Sequence, residues 1–570
     1  MYRANGEHLQ WKLMSTLDSL RPKDRDRLEE GWAGTFYREF FCRVDEGLFA
    51  PLYSEEPSRP NVPVNVLLGL EVLKAGHGWS DEELIEQFTY NVAVRRALGC
   101  VELGEDQFEL RTLYNFRHRV SVYAQQSGVD LIERAFEQVT DEQMAALKLR
   151  ASRLRMDSTM VSGNIRLMSR LHLLVEVVQQ VHRMLSELDQ ERYREEFAPY
   201  VQGTSGQFVY RVRSEEGRAH IRQIGDLMAR WTRELESGYG QELGYGVLKR
   251  VFAEHFLTEE TAVRPRTGRE VPSGTLQSLS DPEATYRKKA GRSYVGYVAN
   301  VTETCDPRNP VQLITKVQVE ANTVDDPALM EAALPALHER MEVRELYTDG
   351  GYNSEPTATL AREMEIDHIQ TALRGHTAKR LSLRDFALEG SEKNEPVAVT
   401  CLRGQRGPVG RGKGTRYAVH FPRCERCPWE TQCPGEPLKR KGGRGLHFTL
   451  HDWEIARRRQ RIARDPETGR KMRGPVEPTM ADLKRPFRYG KLPVRGRWRV
   501  KGMLTAVAGM VNIRRIQRAQ GLDKGPRETV TQVAVQVHGV VDRALLCLHR
   551  IKSFFQARNA PLLDLQPTLG

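Results

Sequence analysis

The first residues in this 570-residue chain that could carry chemistry are two aspartates at the ends of strand-like segments. Asp157 follows the alternating basic and apolar run at 147–156, and Asp349 follows the apolar segment RELYT and precedes Gly350 and Gly351. Ligand crevices of α/β sheets lie beyond the carboxyl ends of the strands, so we expect both carboxylates at such an edge. Their oxygens suit Mg²⁺, and two ions could assist in-line phosphoryl transfer. Taken singly, either aspartate is equally an ordinary turn or helix-cap residue.

Glu477 offers the third carboxylate that such a site needs, within the pattern Arg473, Glu477 and Lys484. Glu477 and Lys484 are seven residues apart, so on a helix they share a face over two turns. Pro475 and Pro478 fit the opening turn of that helix, where N–H groups lack partners, and Glu477 is expected in this turn. Arg473 and Lys484 would then bind DNA phosphates beside the metal. A plain surface helix with the same charge spacing is the alternative.

Four cysteines form a second group with metal-binding chemistry: Cys401, Cys424, Cys427 and Cys433. One Cys-x2-Cys pair and two further thiolates fit a tetrahedral structural zinc, although a second such pair is missing. Zinc would fold a Gly- and Arg-rich segment that offers little apolar core of its own. Free thiols in a reducing cytosol are the open alternative.

Positive charge is concentrated in one part of the chain. Residues 401–520 contain 30 Lys and Arg against 9 Asp and Glu, whereas the whole chain contains 86 against 75. Clustered cations favour a polyanion such as nucleic acid, because binding releases counterions. A solvated basic face is the alternative. Within this region Arg497, Trp498 and Arg499 could bind DNA, with the indole stacked on a base, or Trp498 could pack in a core.

Composition excludes several classes of protein. With 39% hydrophobic and 28% charged residues the chain is typical of globular rather than disordered proteins. The opening MYRANGEHLQ lacks the apolar core of a signal peptide. The longest nearly apolar run, at 502–513, is shorter than the roughly 20 residues that span a bilayer. We therefore expect a soluble, cytoplasmic protein with no membrane partner.

Periodicity predicts the elements that must position these residues. Apolar spacing between 63 and 98 is helical, and Ser80 and Glu83 have the spacing of a capping box. Strand signals resume at Ser293, and the strands and helices that follow alternate as far as about residue 373. This order is typical of an α/β fold with a mixed sheet behind a helical N-terminal region.

These features together resemble the DDE transposases of bacterial insertion sequences, in the group with a Tyr-Arg-Glu-Lys signature. The resemblance rests on DST at Asp157, TDGGY at Asp349 and R-x3-E-x6-K around Glu477. NVPVNVLLGLEVLKAGHGWSDEELIEQF, DPEATYRKK and GMLTAVAGMVNIRR are also similar to that group, so the resemblance runs from about residue 60 to 518. The Tyr of the signature would fall at position 470, which is Arg470 here.

The resemblance implies an RNase H-like catalytic core with Asp157 on its first strand, Asp349 after its fourth and Glu477 on a late helix. These three acids would hold Mg²⁺ or Mn²⁺. Similar transposases also carry a cysteine cluster in the insertion before the final acid. Double-stranded DNA, as terminal inverted repeats and as target, would be the partner of a homodimer or larger assembly.

We accordingly predict the following division: a helical N-terminal DNA-binding domain at 1–125, the first part of an RNase H-like core at 147–167 and 275–375, a helical insertion at 168–274, a basic Cys-rich insertion at 376–450, the final core helices with Glu477 at 451–520, and a C-terminal helix at 521–570. The leading hypothesis is a transposase that cleaves element ends and joins the freed 3′-OH to target DNA. A cleavage-inactive DNA-binding regulator and an RNase H-like nuclease without strand transfer are the alternatives.

Overall fold

A mixed α/β architecture behind a helical N-terminal region is present in the computed structural model, as the sequence predicts. The structure describes residues 1–521 apart from 7, 9–14, 57–58, 103, 105–106, 260–261, 290, 372–380, 392–394, 413–415 and 439–441. The C-terminal helix predicted at 521–570 therefore lies outside the described residues, except for its first position.

Helices occupy most of the chain up to residue 146. They are α1 (Pro22–Glu30), α2 (Trp32–Glu39), α3 (Val64–His77), α4 (Asp81–Tyr90), α5 (Val92–Ala97), α6 (Leu110–Ser127) and α7 (Leu131–Ala146). The capping box expected at the start of α4 is confirmed: the Ser80 N–H donates to Glu83 Oε2 (2.7 Å) and the Glu83 N–H donates to Ser80 Oγ (3.1 Å). Two N–H groups that a helix start leaves without intrahelical partners are thereby satisfied.

The first eight strands are β1 (Arg153–Val161), β2 (Phe256–Thr258), β3 (Val263–Pro265), β4 (Thr285–Lys289), β5 (Arg292–Thr304), β6 (Ile314–Ala321), β7 (Glu345–Thr348) and β8 (Asp367–Gln370). All but β2 and β3 join one six-stranded mixed sheet. Its order is β6-β5-β1-β7-β8, and β4 pairs with the beginning of β5. β7 and β8 run parallel to β1, whereas β5 runs antiparallel to both β1 and β6. The predicted mixed sheet is thus confirmed.

The first strand differs from its prediction. It begins at Arg153 rather than at residue 147, because α7 and the turn after it extend to Lys148, whose φ of +53° is not a strand conformation. It also does not end before Asp157: β5 pairs with every residue of β1 from Leu154 to Val161. Asp157 therefore lies in the middle of a paired strand, which fixes its backbone more firmly than a loop would.

Seven helices lie between β1 and β2 and have a hydrophobic core of their own. They are α8 (Arg170–Met184), α9 (Glu187–Arg192), α10 (Arg194–Phe197), α11 (Ser205–Arg211), α12 (Gly217–Glu234), α13 (Glu236–Tyr239) and α14 (Leu243–His255). Leu174, Trp231 and Leu248 are completely buried within that core. Two further helices lie between the later strands of the sheet in the chain: α15 (Asp326–Met341) and α16 (Glu355–Glu363).

Small antiparallel sheets follow the six-stranded sheet in the chain. Their strands are β9 (Ala387–Gly390), β10 (Pro396–Thr400), β11 (Arg406–Pro408), β12 (Gly410–Arg411), β13 (Arg416–Phe421), β14 (Glu436–Pro437) and β15 (Arg444–Thr449). Val399, Phe421 and Trp453 are among the buried side chains of their common core. This Gly- and Arg-rich segment was expected to offer little apolar core of its own, and it contributes to a small one, because alternate residues of β10, β13 and β15 point to one shared face.

Four helices end the described chain: α17 (Leu450–Arg464), α18 (Pro466–Arg473), α19 (Val476–Lys484) and α20 (Arg497–Ala519). Most of α20 is buried, because α3 of the N-terminal region and β6 of the sheet both pack against it. The N-terminal helices and the sheet consequently share one hydrophobic core. None of the helices in the described part of the chain combines the length and apolarity needed to cross a bilayer.

The crossing of α3 and α20 depends on a glycine. A Cβ added at Gly76 would lie 2.3 Å from Met510 Cγ and 2.6 Å from Met510 Cβ, so the two helices could not keep their present separation.

We expect Gly76→Ala to destabilise the protein by about 1–3 kcal/mol, since overpacking forces the backbone or neighbouring side chains to move. Thermal unfolding of the full chain measures the effect. Gly502→Ala, in α20 itself, is the matched control: an added Cβ there meets nothing within 4 Å. Alanine is the better helix former, so this control should leave the melting temperature unchanged or raise it. An unchanged melting temperature for Gly76→Ala would contradict the close crossing.

Candidate active site

Strand register brings Asp157 and Asp349 to the same level of the sheet. β1 and β7 are parallel neighbours, with Arg155 opposite Tyr347 as their last recorded pair. Asp157, within β1, and Asp349, the first residue after β7, each stand two residues beyond this pair, and neighbouring strands are about 4.8 Å apart. The predicted proximity of two carboxylates from distant parts of the sequence thus has a direct geometrical cause.

Alternate residues of β1 face the helices that carry the third acid. The Arg155 guanidinium donates to the Met472 carbonyl at the end of α18 (2.9 Å). Asp157 Oδ2 accepts from Arg473 (2.7 Å), and Thr159 Oγ1 accepts from the Lys484 ammonium (2.6 Å). Side chains two apart on a strand share a face, so these three contacts seat α18 and α19 on one side of β1.

Arg473 joins the acids. It donates to Asp157 and lies 3.4 Å from Glu477 Oε1 through its other terminal nitrogen. Glu477 is the second residue of α19, as predicted for the opening turn, and Pro475 precedes the helix as its N-cap. Its side chain is 67% exposed, whereas that of Asp157 is 12% exposed. The site therefore has a buried carboxylate and an open one, joined by one guanidinium.

Burial and charge act against each other in this cluster. Burial raises the pKa of Asp157, Asp349 adds to the rise, and the Arg473 guanidinium opposes it. Burial also lowers the pKa of Arg473, but Asp157, Asp349 and Glu477 outweigh it and raise that pKa above its usual value. Arg473 therefore stays charged among the three acids. Burial lowers the pKa of Lys484.

A largely buried ion-pair network lies beneath the site, among residues that the sequence did not single out. Glu303 on β5 accepts from Arg155 (2.6 Å), from Arg515 of α20 (2.7 Å) and from the Thr479 hydroxyl of α19 (2.9 Å). Its side chain is 0% exposed. Because one carboxylate binds groups from a strand and two helices, it fixes α19, which carries Glu477, relative to β1. The sequence signal that could have identified this network is the presence of charged residues, Glu303 and Arg155, inside apolar strand segments.

The other face of β1 is also polar. The Ser158 hydroxyl donates to Asp326 at the start of α15 (2.6 Å), and the Tyr352 hydroxyl donates to Asn300 on β5 (2.7 Å). Burial raises the pKa of Tyr352 well above its usual value, and Asp326, Asp157 and Asp349 contribute to the rise. Tyr352 therefore remains a neutral hydrogen-bond donor beneath the acids.

The chemistry of the three acids matches a divalent metal, since hard carboxylate oxygens are the ligands that Mg²⁺ prefers. A positive group, the Arg473 guanidinium, already lies between two of them. Among the described residues, however, no group of three or more His, Cys, Asp or Glu side chains has the arrangement of a finished metal site. The acids are adjacent, but Arg473 occupies an oxygen of Asp157.

The four cysteines predicted to bind zinc surround one small cavity, which Cys401, Cys424, Cys427 and Cys433 all line. Burial raises the pKa of the Cys424 thiol, and the three other cysteines add to the rise, as expected for sulfur atoms close together. None of the four forms a disulfide, and, as for the acids, their arrangement in the described part of the chain is not that of a finished metal site.

Two of the three residues predicted to bind DNA beyond α19 have partners within the protein. Arg497 pairs with Glu320 (2.5 Å) and lies 3.8 Å from Glu283. Trp498 packs against the main hydrophobic core, which was the alternative considered for it, and Arg499 is exposed.

Two family models match this chain. Residues 400–517 match the model described as Transposase DDE domain. This matched segment includes Glu477 but neither Asp157 nor Asp349. Residues 20–119, with helices α1 to α5 and the first half of α6, match the model described as Transposase domain (DUF772). No curated protein and no solved structure matches the chain. These two matches confirm the resemblance drawn from the sequence: the chain carries transposase-family domains near both ends of its described part and is consistent with a DDE transposase of insertion-sequence type.

Proposed function

We propose that this protein cleaves DNA at the ends of its mobile element and joins the freed 3′-OH to target DNA, by metal-dependent phosphoryl transfer at Asp157, Asp349 and Glu477. The observation that carries the proposal is the convergence of these acids. They lie 192 and 128 positions apart in sequence, yet they surround one arginine. A surface helix with fortuitous charge spacing would not place Arg473, which also contacts Glu477, against a buried strand carboxylate.

The sheet supports an RNase H-like core. Leaving aside β4, which pairs only with the beginning of β5, the strands occur in the chain as β1, β5, β6, β7 and β8. Asp157 lies on the first of these and Asp349 follows the fourth. This is the placement that the family resemblance implies. Glu477 follows on a helix after the small antiparallel sheets, again as implied.

Bound divalent ions would stabilise charge on the attacking and leaving oxygens of the phosphoryl transfer. The acids would supply the ligands, with Asp157 held by its paired strand and Glu477 by the network around Glu303. Arg473 would exchange Asp157 for a DNA phosphate, with which a guanidinium can form two parallel hydrogen bonds. Lys484, held at Thr159, would add a second cation along the same strand.

Double-stranded DNA is the partner that the proposal requires, as terminal inverted repeats and as target. Support comes from the basic region at 401–520. Joining two element ends would need two active sites, so we propose a homodimer or larger assembly on DNA. A DNA-binding regulator that does not cleave and a nuclease that does not join strands are the competing functions.

Replacing any one acid by its amide should abolish cleavage. For Asp157→Asn, Asp349→Asn and Glu477→Gln we expect a loss of about 100-fold or more, because each removes a charged ligand. Labelled DNA containing the sequences that flank the coding region serves as substrate, with Mg²⁺ and gel analysis of nicked and joined products. Binding by electrophoretic shift should be retained.

The matched control is Glu467→Gln on α18, an acid whose side chain is 76% exposed and pairs only with Lys471 at the surface. It should cleave normally. Normal cleavage by an Asp157→Asn variant would rule out the proposed site. Wild-type protein that binds but never nicks would favour the regulator, and nicked products without joined ones would favour the nuclease.

Arg473 should compete with metal in the absence of DNA. Arg473→Gln frees Asp157 and Glu477, so we expect Mn²⁺ to bind the DNA-free protein about 3- to 10-fold more tightly, the equivalent of a partly buried ion pair. Electron paramagnetic resonance of free Mn²⁺ gives the affinity. Arg470→Gln, an exposed arginine on the same helix, should leave it unchanged. Equal Mn²⁺ affinity in all three proteins would contradict the competition.

We also propose that Cys401, Cys424, Cys427 and Cys433 bind a structural zinc ion. Their common cavity supports this, because thiolates at one point are the usual ligands of structural zinc. The zinc ion would hold together the small antiparallel sheets, which precede α17 and Glu477 in the chain.

Protein purified without chelators should then contain about one zinc per chain, the stoichiometry of a single tetrahedral site. Cys424→Ser or Cys427→Ser should lower the zinc content measured by mass spectrometry and increase proteolysis between residues 387 and 449. Cys42→Ser, which changes an exposed cysteine outside the group, is the control. Full zinc content in both cluster variants would refute this assignment.

A further inference from the structure

Directly after α19 the chain makes a turn that holds an aromatic side chain in solvent. Tyr489 is 90% exposed, and its φ of +57° lies in the left-handed region that residues with a Cβ disfavour. Phe487 and Leu492, on either side of the turn, are buried in the main core. The core therefore holds the turn at both ends, whereas the Tyr489 ring between them remains in water.

This turn adjoins the acidic cluster. Lys484, at the end of α19, is bound to Thr159, two residues beyond Asp157 on β1. After β1 ends, Ser162 forms a β-bridge with Lys491 of the turn, and the Leu492 N–H donates to the Ser162 carbonyl (3.0 Å). Five residues of extended chain from Asp157 to Ser162 cover about 16 Å. That distance equals the rise of about five base pairs along DNA.

A cation lies against the ring. The Arg488 guanidinium carbon is 5.1 Å from the centroid of the Tyr489 ring, and Arg488 also donates to the Tyr489 hydroxyl (3.3 Å). Arg485 is exposed on the preceding turn of chain, where it pairs with Asp482. An exposed ring beside arginines is the combination that single-stranded nucleic acids bind, since bases stack on the ring and phosphates bind the cations.

We propose that the turn from Arg488 to Lys491 is a binding point for an unpaired DNA base, on which Tyr489 stacks, next to the acidic cluster. The inference rests on the proposed function, because it concerns the DNA that this cluster would cleave. Paired bases inside a duplex expose no face to a side chain, so the ligand is a strand with at least one base out of its stack. The left-handed backbone conformation of Tyr489 is consistent with this role, because such strained residues cluster at functional sites, where the surrounding structure imposes the conformation.

The test uses full-length protein and two fluorescein-labelled probes, a 20-nucleotide oligo(dT) strand and a 20-base-pair duplex, with binding followed by anisotropy at constant salt. Tyr489→Gly removes the ring and suits the positive φ, so the turn is preserved. We expect it to weaken oligo(dT) binding about 5- to 100-fold, the range found for loss of one base–aromatic stack, and duplex binding less than about threefold. Tyr489→Phe, which keeps the ring, should bind both probes like wild type.

Tyr210→Gly is the matched control, since Tyr210 on α11 is 92% exposed but lies on a different part of the fold. It should bind both probes normally. Unchanged oligo(dT) affinity in Tyr489→Gly, or an equal loss on both probes, would overturn the stacking role while the proposed cleavage site stands. If the wild type bound neither probe, the proposed function would fail together with this inference.

Discussion

The central constraint in this protein is the placement of three carboxylates around one guanidinium. Like charges at close range destabilise one another, so carboxylates brought together in one cluster are stabilised by a cation beside them. Arg473 provides that cation and joins a buried strand residue to an open helix residue. Arg473 therefore offsets the charge of the two acids that it contacts, and in the proposed function a divalent ion would take over that role.

A second arrangement of charges makes the first one possible. Glu303 is completely buried, and its two arginine partners and Thr479 come from three different elements. Breaking one partner of such a network leaves an uncompensated buried charge, which is strongly destabilising. Because of this cost, the network holds α19 and α20 in fixed positions relative to β1. The N-terminal helices then pack on α20, so the region matched by the second transposase model shares a core with the site.

Much of the fold could be predicted from local sequence, and the residues of the candidate site could be chosen by their type and spacing. Apolar spacing, the Ser80 capping box and the strand signals around Ser293 correspond to observed elements, because each depends on residues close together in the chain. The start of β1 was misjudged, since alternation alone cannot distinguish a strand from the end of a helix followed by a turn. Strand pairing, which extends β1 past Asp157, depends on β5 more than 130 residues later.

The sequence by itself determined which residues could do chemistry: three acids, their two neighbouring cations and four cysteines, all identifiable by type and spacing. Only the tertiary structure decided how they are used. It paired Arg473 with Asp157, packed the partly buried Trp498 against the core and left Tyr489 in solvent. The physical reason is that side-chain type fixes which interactions are available, whereas burial and the choice of partner arise from contacts between segments hundreds of residues apart.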